Sequence, residues 1–405
     1  MKKYKVRDFI KEFGDGIHGT PTYDTNGEYY FINGTNLEED GIQVDNALRI
    51  SKDEYNRISR PLNENTILIS INGTLGKISM YENEKIALGK SACYLNVKNE
   101  KNKYFLKYVL STKEFKKYMD LVAHGSTVKN IAPQQIADYE FFAPDETLHN
   151  RIADSLKLID DKILNNNKII EELSNICKLT YNYWFIQFNY PDKDGKPYKE
   201  NGGKLVYNNK LKREIPIDWE IETLGDILKK DGRSISPNNV GNYPYTPLDI
   251  LPSFKVSFGD YKNNNEANSS LLFYKKKSIL FGAMRSYFHR VCIAPFDGIT
   301  RTTTFVLKPE DSSVLGYAYE TINMDSTVEF SVANSVGTQQ PYAVWDESMD
   351  KMLIVKPPKE LKQKYSNMIN EYIDKIIVLE TQNKQLKDFK ENMLPLLMNG
   401  KVSFK

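Results

Sequence analysis

Few side chains in this chain of 405 residues stand at spacings that support catalysis. Gly89-Lys90-Ser91 has the ending of a phosphate-binding loop, but that motif needs a glycine five residues before its second glycine, and position 84 is Glu84. Phe281-Gly282-Ala283 is too short for a glycine-rich cofactor loop. The tetrapeptide of amino-methyltransferases (Asn or Asp, Pro-Pro, aromatic) is absent, and Pro357-Pro358 stands between lysines instead. His18, His124, His149 and His289 show no paired metal spacing; His289 and Cys292 are three apart without a second pair to complete a site. Cys93, Cys177 and Cys292 are too far apart in sequence to suggest a zinc site or a disulfide framework. Asp145, Glu146, Asp160 and Asp161 fall on a helix face, where solvation explains them. The expectation is a chain with no catalytic residue and no metal ligand of its own.

The chemistry, then, must lie in how the chain presents its surface. Its length exceeds one ordinary domain and predicts two. The net charge of +2 leaves 55 basic and 53 acidic residues nearly cancelled, so bulk charge names no partner. Any attraction to phosphate must come from local Lys and Arg, or from a basic partner. No stretch approaches the roughly 18 apolar residues of a spanning helix, and the start Met1-Lys2-Lys3-Tyr4-Lys5 leads into no apolar signal core. These features predict a cytoplasmic protein with no membrane partner.

The sequence repeats itself after about 213 residues. Residues 144–184 and 357–397 each read as one long helix. The shift carries Leu148, Ile152, Leu156, Ile159, Ile163, Leu173 and Trp184 onto Leu361, Tyr365, Ile369, Tyr372, Ile376, Leu386 and Leu397. The former belong to a stripe at 148, 152, 156, 159, 163, 166, 170, 173, 177, 180 and 184, whose spacings of four and three lie close to the 3.5-residue period of a coiled coil, and about 40 residues give a rod of roughly 60 Å. Asn166 and Thr180 interrupt the first stripe, Asn383 and Lys390 the second. An antiparallel pair crossing near residues 168 and 381 sets Asn166 against Asn383, two amides able to satisfy each other and fix the register. Pro395 is expected to end or kink the second helix, with Asn399-Gly400 as a stop signal.

Ahead of each helix lies a mixed segment. Thr66 to Ile71, then Asn72-Gly73, then Thr74 to Tyr81 reads as strand, tight two-residue turn, strand. Ser278–Met284 and Thr302–Leu307 read as strands of the second copy. Residues 190–214, rich in Gly, Pro, Lys and Asn, read as a linker. The expected fold is α+β: globular domains at 1–144 and 215–357, each feeding a long helix (145–189 and 358–405, the latter with a C-terminal tail), the helices packed as an antiparallel coiled coil with pseudo-twofold symmetry.

This layout resembles the specificity subunits of type I restriction-modification systems over essentially the whole chain. The most specific pieces are Tyr198-Lys-Glu-Asn-Gly-Gly203, Lys212-Arg-Glu-Ile-Pro-Ile-Asp-Trp219, Gly125-Ser126-Thr127 and Asn392-Met-Leu-Pro-Leu-Leu-Met-Asn-Gly400. The resemblance implies a non-catalytic reader of double-stranded DNA, whose two target recognition domains each bind one half of a bipartite, asymmetric site, with the helices as ruler. It also implies two modification subunits that carry S-adenosylmethionine and methylate adenine. Up to two restriction subunits would work with ATP and Mg. Those cofactors belong to the partners.

Base reading calls for Asn, Gln, Arg or Lys at base edges, with Ser, Thr and backbone amides on phosphates. In the first domain the candidates are His18, Thr20, Tyr23, Asn36, Lys77, Lys90, Ser91, Ser126, Thr127, Lys129 and Asn130. In the second they are Arg285, Ser286, Tyr287, His289, Arg290, Arg301, Thr302, Thr338, Gln339, Gln340 and Tyr342. Arg285 and Arg290 stand out because they flank Tyr287 and His289. Two other readings remain: a coiled-coil scaffold that binds protein without DNA sequence preference, and a self-sufficient methyltransferase, which the missing tetrapeptide disfavours.

Overall fold

The computed structural model describes residues 1–39, 41–125, 129–267 and 270–402. It divides into two compact units, Met1–Leu164 with Leu386–Lys405, and Asn165–Gln385.

In the first unit, strands Ile10–Asp15, Ala92–Val97, Thr66–Ser70 and Ile78–Met80 form an antiparallel sheet in that order. Thr66–Ser70 is apolar throughout its middle because both faces are covered. Ile67 and Ile69 point into a core with Phe105, Leu106 and Phe115 from the helices Glu100–Leu110 and Lys113–Val122. Leu68 points the other way, into a smaller core with Ile32, Leu37 and Leu88. The second unit repeats the plan. Leu228–Lys230, Thr304–Pro309, Ile279–Gly282 and Val291–Ile293 form an antiparallel sheet in the same order of roles. Ile279 and Phe281 enter one core and Leu280 another. In both units the strand leading into the long helix pairs with a strand from the unit's beginning: Glu140–Ala143 with Lys2–Lys5, and Leu353–Lys356 with Glu220–Thr223.

A smaller three-stranded sheet distinguishes the units. In the first, Tyr29–Ile32 lies between Leu48–Ile50, antiparallel, and Ile86–Leu88, parallel. In the second, Leu271–Tyr274 lies between Arg233–Ile235 and Gly298–Arg301, both antiparallel.

The long helices span Glu146–Tyr181, continued by a π turn at Asn182–Ile186, and Lys359–Met398. They pack antiparallel. In the first unit, Ile152, Ala153 and Leu156 share a core with Leu394, Leu397 and Met398. In the second, Ile170, Cys177 and Tyr181 share one with Leu361, Tyr365 and Ile369, and the Tyr365 hydroxyl donates to the Cys177 carbonyl at 2.9 Å. The expected amide pair forms: Asn166 Nδ2 donates to Asn383 Oδ1 at 2.8 Å and to Gln382 Oε1 at 2.9 Å, while Asn383 Nδ2 donates to Asn167 Oδ1 at 2.8 Å. Of the two remaining interruptions, Thr180 donates its hydroxyl to Ile176 O at 2.7 Å, and Lys390 is answered by Asp160 at 2.7 Å, which also takes Lys107 and the Tyr108 hydroxyl, each at 2.8 Å. Burial works against the Asp160 charge, but the two lysines outweigh it and hold its pKa below the usual carboxylate value.

Four local expectations change. Asn72-Gly73 is not a two-residue turn, because strand pairing resumes only at Ile78, opposite Ile69. The intervening backbone is drawn elsewhere: the Ile71 carbonyl accepts from Ile131 N–H, and Gly73 N–H donates to Lys129 O. Pro395 lies inside the second helix instead of ending it. So near the terminus it forfeits one backbone bond, while Leu394, Leu397 and Met398 are buried around it; the stop comes at Asn399-Gly400, with Gly400 left-handed at φ +61°. Thr302 and Thr303 form a turn, and their strand begins at Thr304. Within 190–214, Leu205–Asn208 pairs with Arg213–Pro216, and Tyr190 stacks on both Tyr198 and the buried Trp219, so this stretch is fixed by aromatic packing.

Candidate nucleic-acid interface

Each unit fastens three loops with the same backbone clasp. In the first, Asn72 and His124 both bridge to Asn130. In the second, Met284 and Val336 both bridge to Tyr342. The residue after each bridge is left-handed: Gly73 at φ +75°, its N–H on Lys129 O at 3.1 Å, and Arg285 at φ +51°, its N–H on Pro341 O at 2.7 Å. Glycine takes this conformation without steric cost, whereas an arginine strains there. Tyr342 tightens the second clasp by donating its hydroxyl to Thr302 O at 2.6 Å.

The clasps gather many of the candidates. Lys129 and Asn130 sit on the first, exposed, with Lys129 paired to Asp120 at 2.7 Å. Lys77, at the end of the clasped loop, is half-buried and paired with Glu38. Ser126 and Thr127 lie outside the described residues. Ser91 is inward: its hydroxyl donates to Asn33 Oδ1 at 3.0 Å and accepts from Gly34 N–H at 2.8 Å. Lys90 beside it is exposed, as is Thr20, and His18 is exposed and holds Asp15 at 2.8 Å. In the second unit Arg285, Tyr287, Arg301, Thr302, Thr338, Gln339 and Gln340 are exposed and Tyr342 is half-buried. Three neighbours are instead engaged within the fold. His289 is buried and donates from Nε2 to the backbone and side-chain oxygens of Asn323 at 2.9 and 3.0 Å. Ser286 is buried against Ser331, hydroxyl to hydroxyl at 2.8 Å. Arg290 is half-buried, with one guanidinium nitrogen on Leu248 O at 2.6 Å.

Tyr23 and Asn36 stand apart from the clasp, on a groove of about 470 Å³ that Asn33, Gln43, Asn46 and Leu48 also line. Asn33, Gln43 and Asn46 were missed from sequence. Amide side chains are the natural readers of adenine edges, but three of them scattered over fourteen positions give no periodic signal. A second groove, about 450 Å³, is lined by Lys230, Arg233 and Lys275, with Arg233 over the Phe273 ring at 5.2 Å. Lys230 and Arg233 were also missed.

Residues 2–175 match the model of the type I restriction modification DNA specificity domain. Among curated relatives, the type I restriction enzyme MjaIX specificity subunit of Methanocaldococcus jannaschii is 26% identical, over 97% of this chain and 88% of its own length. Residues 2–175 thus carry this DNA specificity domain, and over nearly its whole length the chain is similar to a type I specificity subunit. It is a DNA sequence-recognition subunit, and the scaffold reading without sequence preference is not favoured. The solved S subunit of a type I restriction-modification system from M. genitalium has the same fold, with a TM-score of 0.59 at 14% identity, covering 100% of this chain and 96% of that one. The matched domain covers only the first recognition domain and most of the first long helix. The specificity subunit extends it by duplication, since the second unit repeats the large sheet and the clasp. No described helix is long and apolar enough to cross a membrane, and no group of His, Cys, Asp and Glu among the described residues could hold a metal ion.

Proposed function

We propose that the two units read the two halves of a bipartite, asymmetric DNA site, and that this chain performs no chemistry itself. The supporting observation is the clasp built twice on one backbone plan with unlike side chains. The first displays Lys129 and Asn130 around Gly73; the second displays Arg285, Thr302 and Gln339 around a strained arginine. A shared frame with different polar loops is what two readers of different base sequences require. The unlike small sheets add to this, one beside an amide-lined groove and the other beside a basic one.

In this reading Arg285, Arg301 and the glutamines of the second clasp meet base edges and phosphates, as do Tyr23, Asn36 and the groove amides of the first unit. Two modification subunits bring S-adenosylmethionine and methylate an adenine in each half. Restriction subunits, where the system has them, bring ATP and Mg, and the complex works in the cytoplasm. The test is to map methylated adenines in a host genome with and without this gene, then with residues 1–144 replaced by the first domain of another family member. One half-site should change while the other persists. Loss of both halves would refute independent reading.

A further inference from the structure

The second unit carries three exposed rings around one buried histidine. Phe254 is 71% exposed, Tyr287 49% and Phe288 43%. Tyr287 and Phe288 touch with centroids 4.7 Å apart, and Phe254 lies 4.6 Å from the His289 ring. Such a cluster in water needs a reason, because apolar rings are ordinarily buried.

The loop is also built to hold them there. Phe254, Arg285 and His289 are all left-handed, at φ +58°, +51° and +51°, a conformation that costs a bulky side chain about 1–2 kcal/mol. Phe254 N–H donates to His289 O at 3.0 Å, His289 is fixed to Asn323, Ser286 to Ser331 and Arg290 to Leu248. Strain that surrounding bonds enforce marks a surface shaped for a task. Basic groups interleave with the rings: Lys255 and Arg285 are exposed, and the Arg290 guanidinium lies 5.3 Å over Phe288. The Asp325 carboxylate lies 3.5 Å from His289 Nδ1. The corresponding loop of the first unit, residues 71–77, holds Thr74 and Leu75 and no ring.

We propose that Phe254, Tyr287 and Phe288 form a wedge that packs into a base step of the duplex, with Arg285 and Lys255 on the adjoining phosphates. This rests on the second unit being a DNA reader, and it adds a mode of reading. A wedge selects a step by how easily the step unstacks, which favours pyrimidine–purine steps such as TA or CA, whatever the base edges nearby. The half-site of the second unit should contain such a step, and that of the first has no need of one.

The test uses the full chain assembled with its modification subunits and a duplex library of random sequence. The triple variant Phe254→Ser, Tyr287→Ser, Phe288→Ser should bind roughly tenfold or more weakly, given what aromatic–base stacking contributes. It should lose the flexible step from one half-site, keep the other half-site, and melt like the parent. With 2-aminopurine beside that step, fluorescence should rise on binding by the parent and by Tyr287→Phe, but not by the triple variant. Unchanged selection of both half-sites by the triple variant overturns the wedge and leaves the DNA-reading function standing. Failure of that variant to assemble with modification subunits, with DNA selection intact, would make the rings a protein-docking face and also overturns it. A parent that selects no sequence at all would sink the reading on which the wedge rests.

Discussion

Replacing Asn166 and Asn383 by leucine, singly and together, tests whether the amides act as a pair. Both are buried, Asn166 fully. Asn166→Leu leaves the carbonyl oxygens of Asn383 and Gln382 without their shared donor, and Asn383→Leu removes the donor from Asn167 Oδ1. A buried polar atom stripped of its partner costs about 1–3 kcal/mol, so each single variant should lose about that much. The double variant removes the buried Asn383 Oδ1 together with its donor, and with them Asn166 Oδ1, which is buried without a hydrogen-bond partner, while the half-buried amides of Gln382 and Asn167 can turn to water. Two leucines in an apolar seam should then be neutral or stabilising. The expected coupling is about 1–3 kcal/mol of non-additivity, the cost of the Asn383 oxygen that only Asn166→Leu leaves unpaired. Trp184, Trp219 and Trp345, the three tryptophans of the chain, all lie in the unit that holds the pair, so their fluorescence during urea unfolding follows that unit. Cysteine pairs placed one helical turn out of register should crosslink only in the double variant. Costs that add to within about 0.5 kcal/mol, or one crosslinking register throughout, would refute the reasoning.

Two further outcomes follow from single residues. Burial among Tyr319, Cys177 and Tyr365, opposed in part by Lys178, pushes the Glu320 carboxyl up to about 8. The folded state therefore holds a proton that the unfolded chain releases near 4.5. The contribution of Glu320 to stability is fully present below that value and is lost by about 1.4 kcal/mol per unit as pH rises toward 8; Glu320→Gln should flatten that part of the decline, measured as urea midpoints from pH 5 to 8. Arg285→Gly should raise stability by about 1 kcal/mol, because the first unit places Gly73 at the same left-handed position of its clasp, while weakening DNA selection. A variant that loses stability would mean that the arginine side chain supports the fold.

The helices were legible because burial there follows one period. Ile152, Leu156, Asn166, Ile170 and Cys177 are the buried positions of the first stripe, and the Asn166–Asn383 contact follows from arithmetic on that stripe alone. The large sheets were half legible: Thr66–Ser70 and Ile279–Gly282 announce themselves as apolar runs, but their ends depend on distant partners. Ile71 and Gly73 leave the hairpin for Ile131 and Lys129, some sixty residues away, and no local propensity records that. Candidate readers were hardest, since His289, Ser286 and Arg290 carry the right chemistry and are engaged inside the fold. The same polar groups that recognise bases also hold loops, and only the tertiary partners tell which task each performs.

The duplication separates these two tasks physically. Much of what the units share is positioning by the main chain: the order of the large sheet, the strand that closes on each helix, the backbone bridges of the clasp. All of it is backbone pairing, indifferent to the side chains displayed. What differs is the small sheet and the side chains on the clasped loops, where Gly73 in one unit takes the left-handed conformation without strain and Arg285 in the other is held in it at a cost. Strain retained in one copy and absent from the other cannot be a requirement of the common frame. In the reading proposed above it answers to what only the second unit meets, its own half of the DNA target.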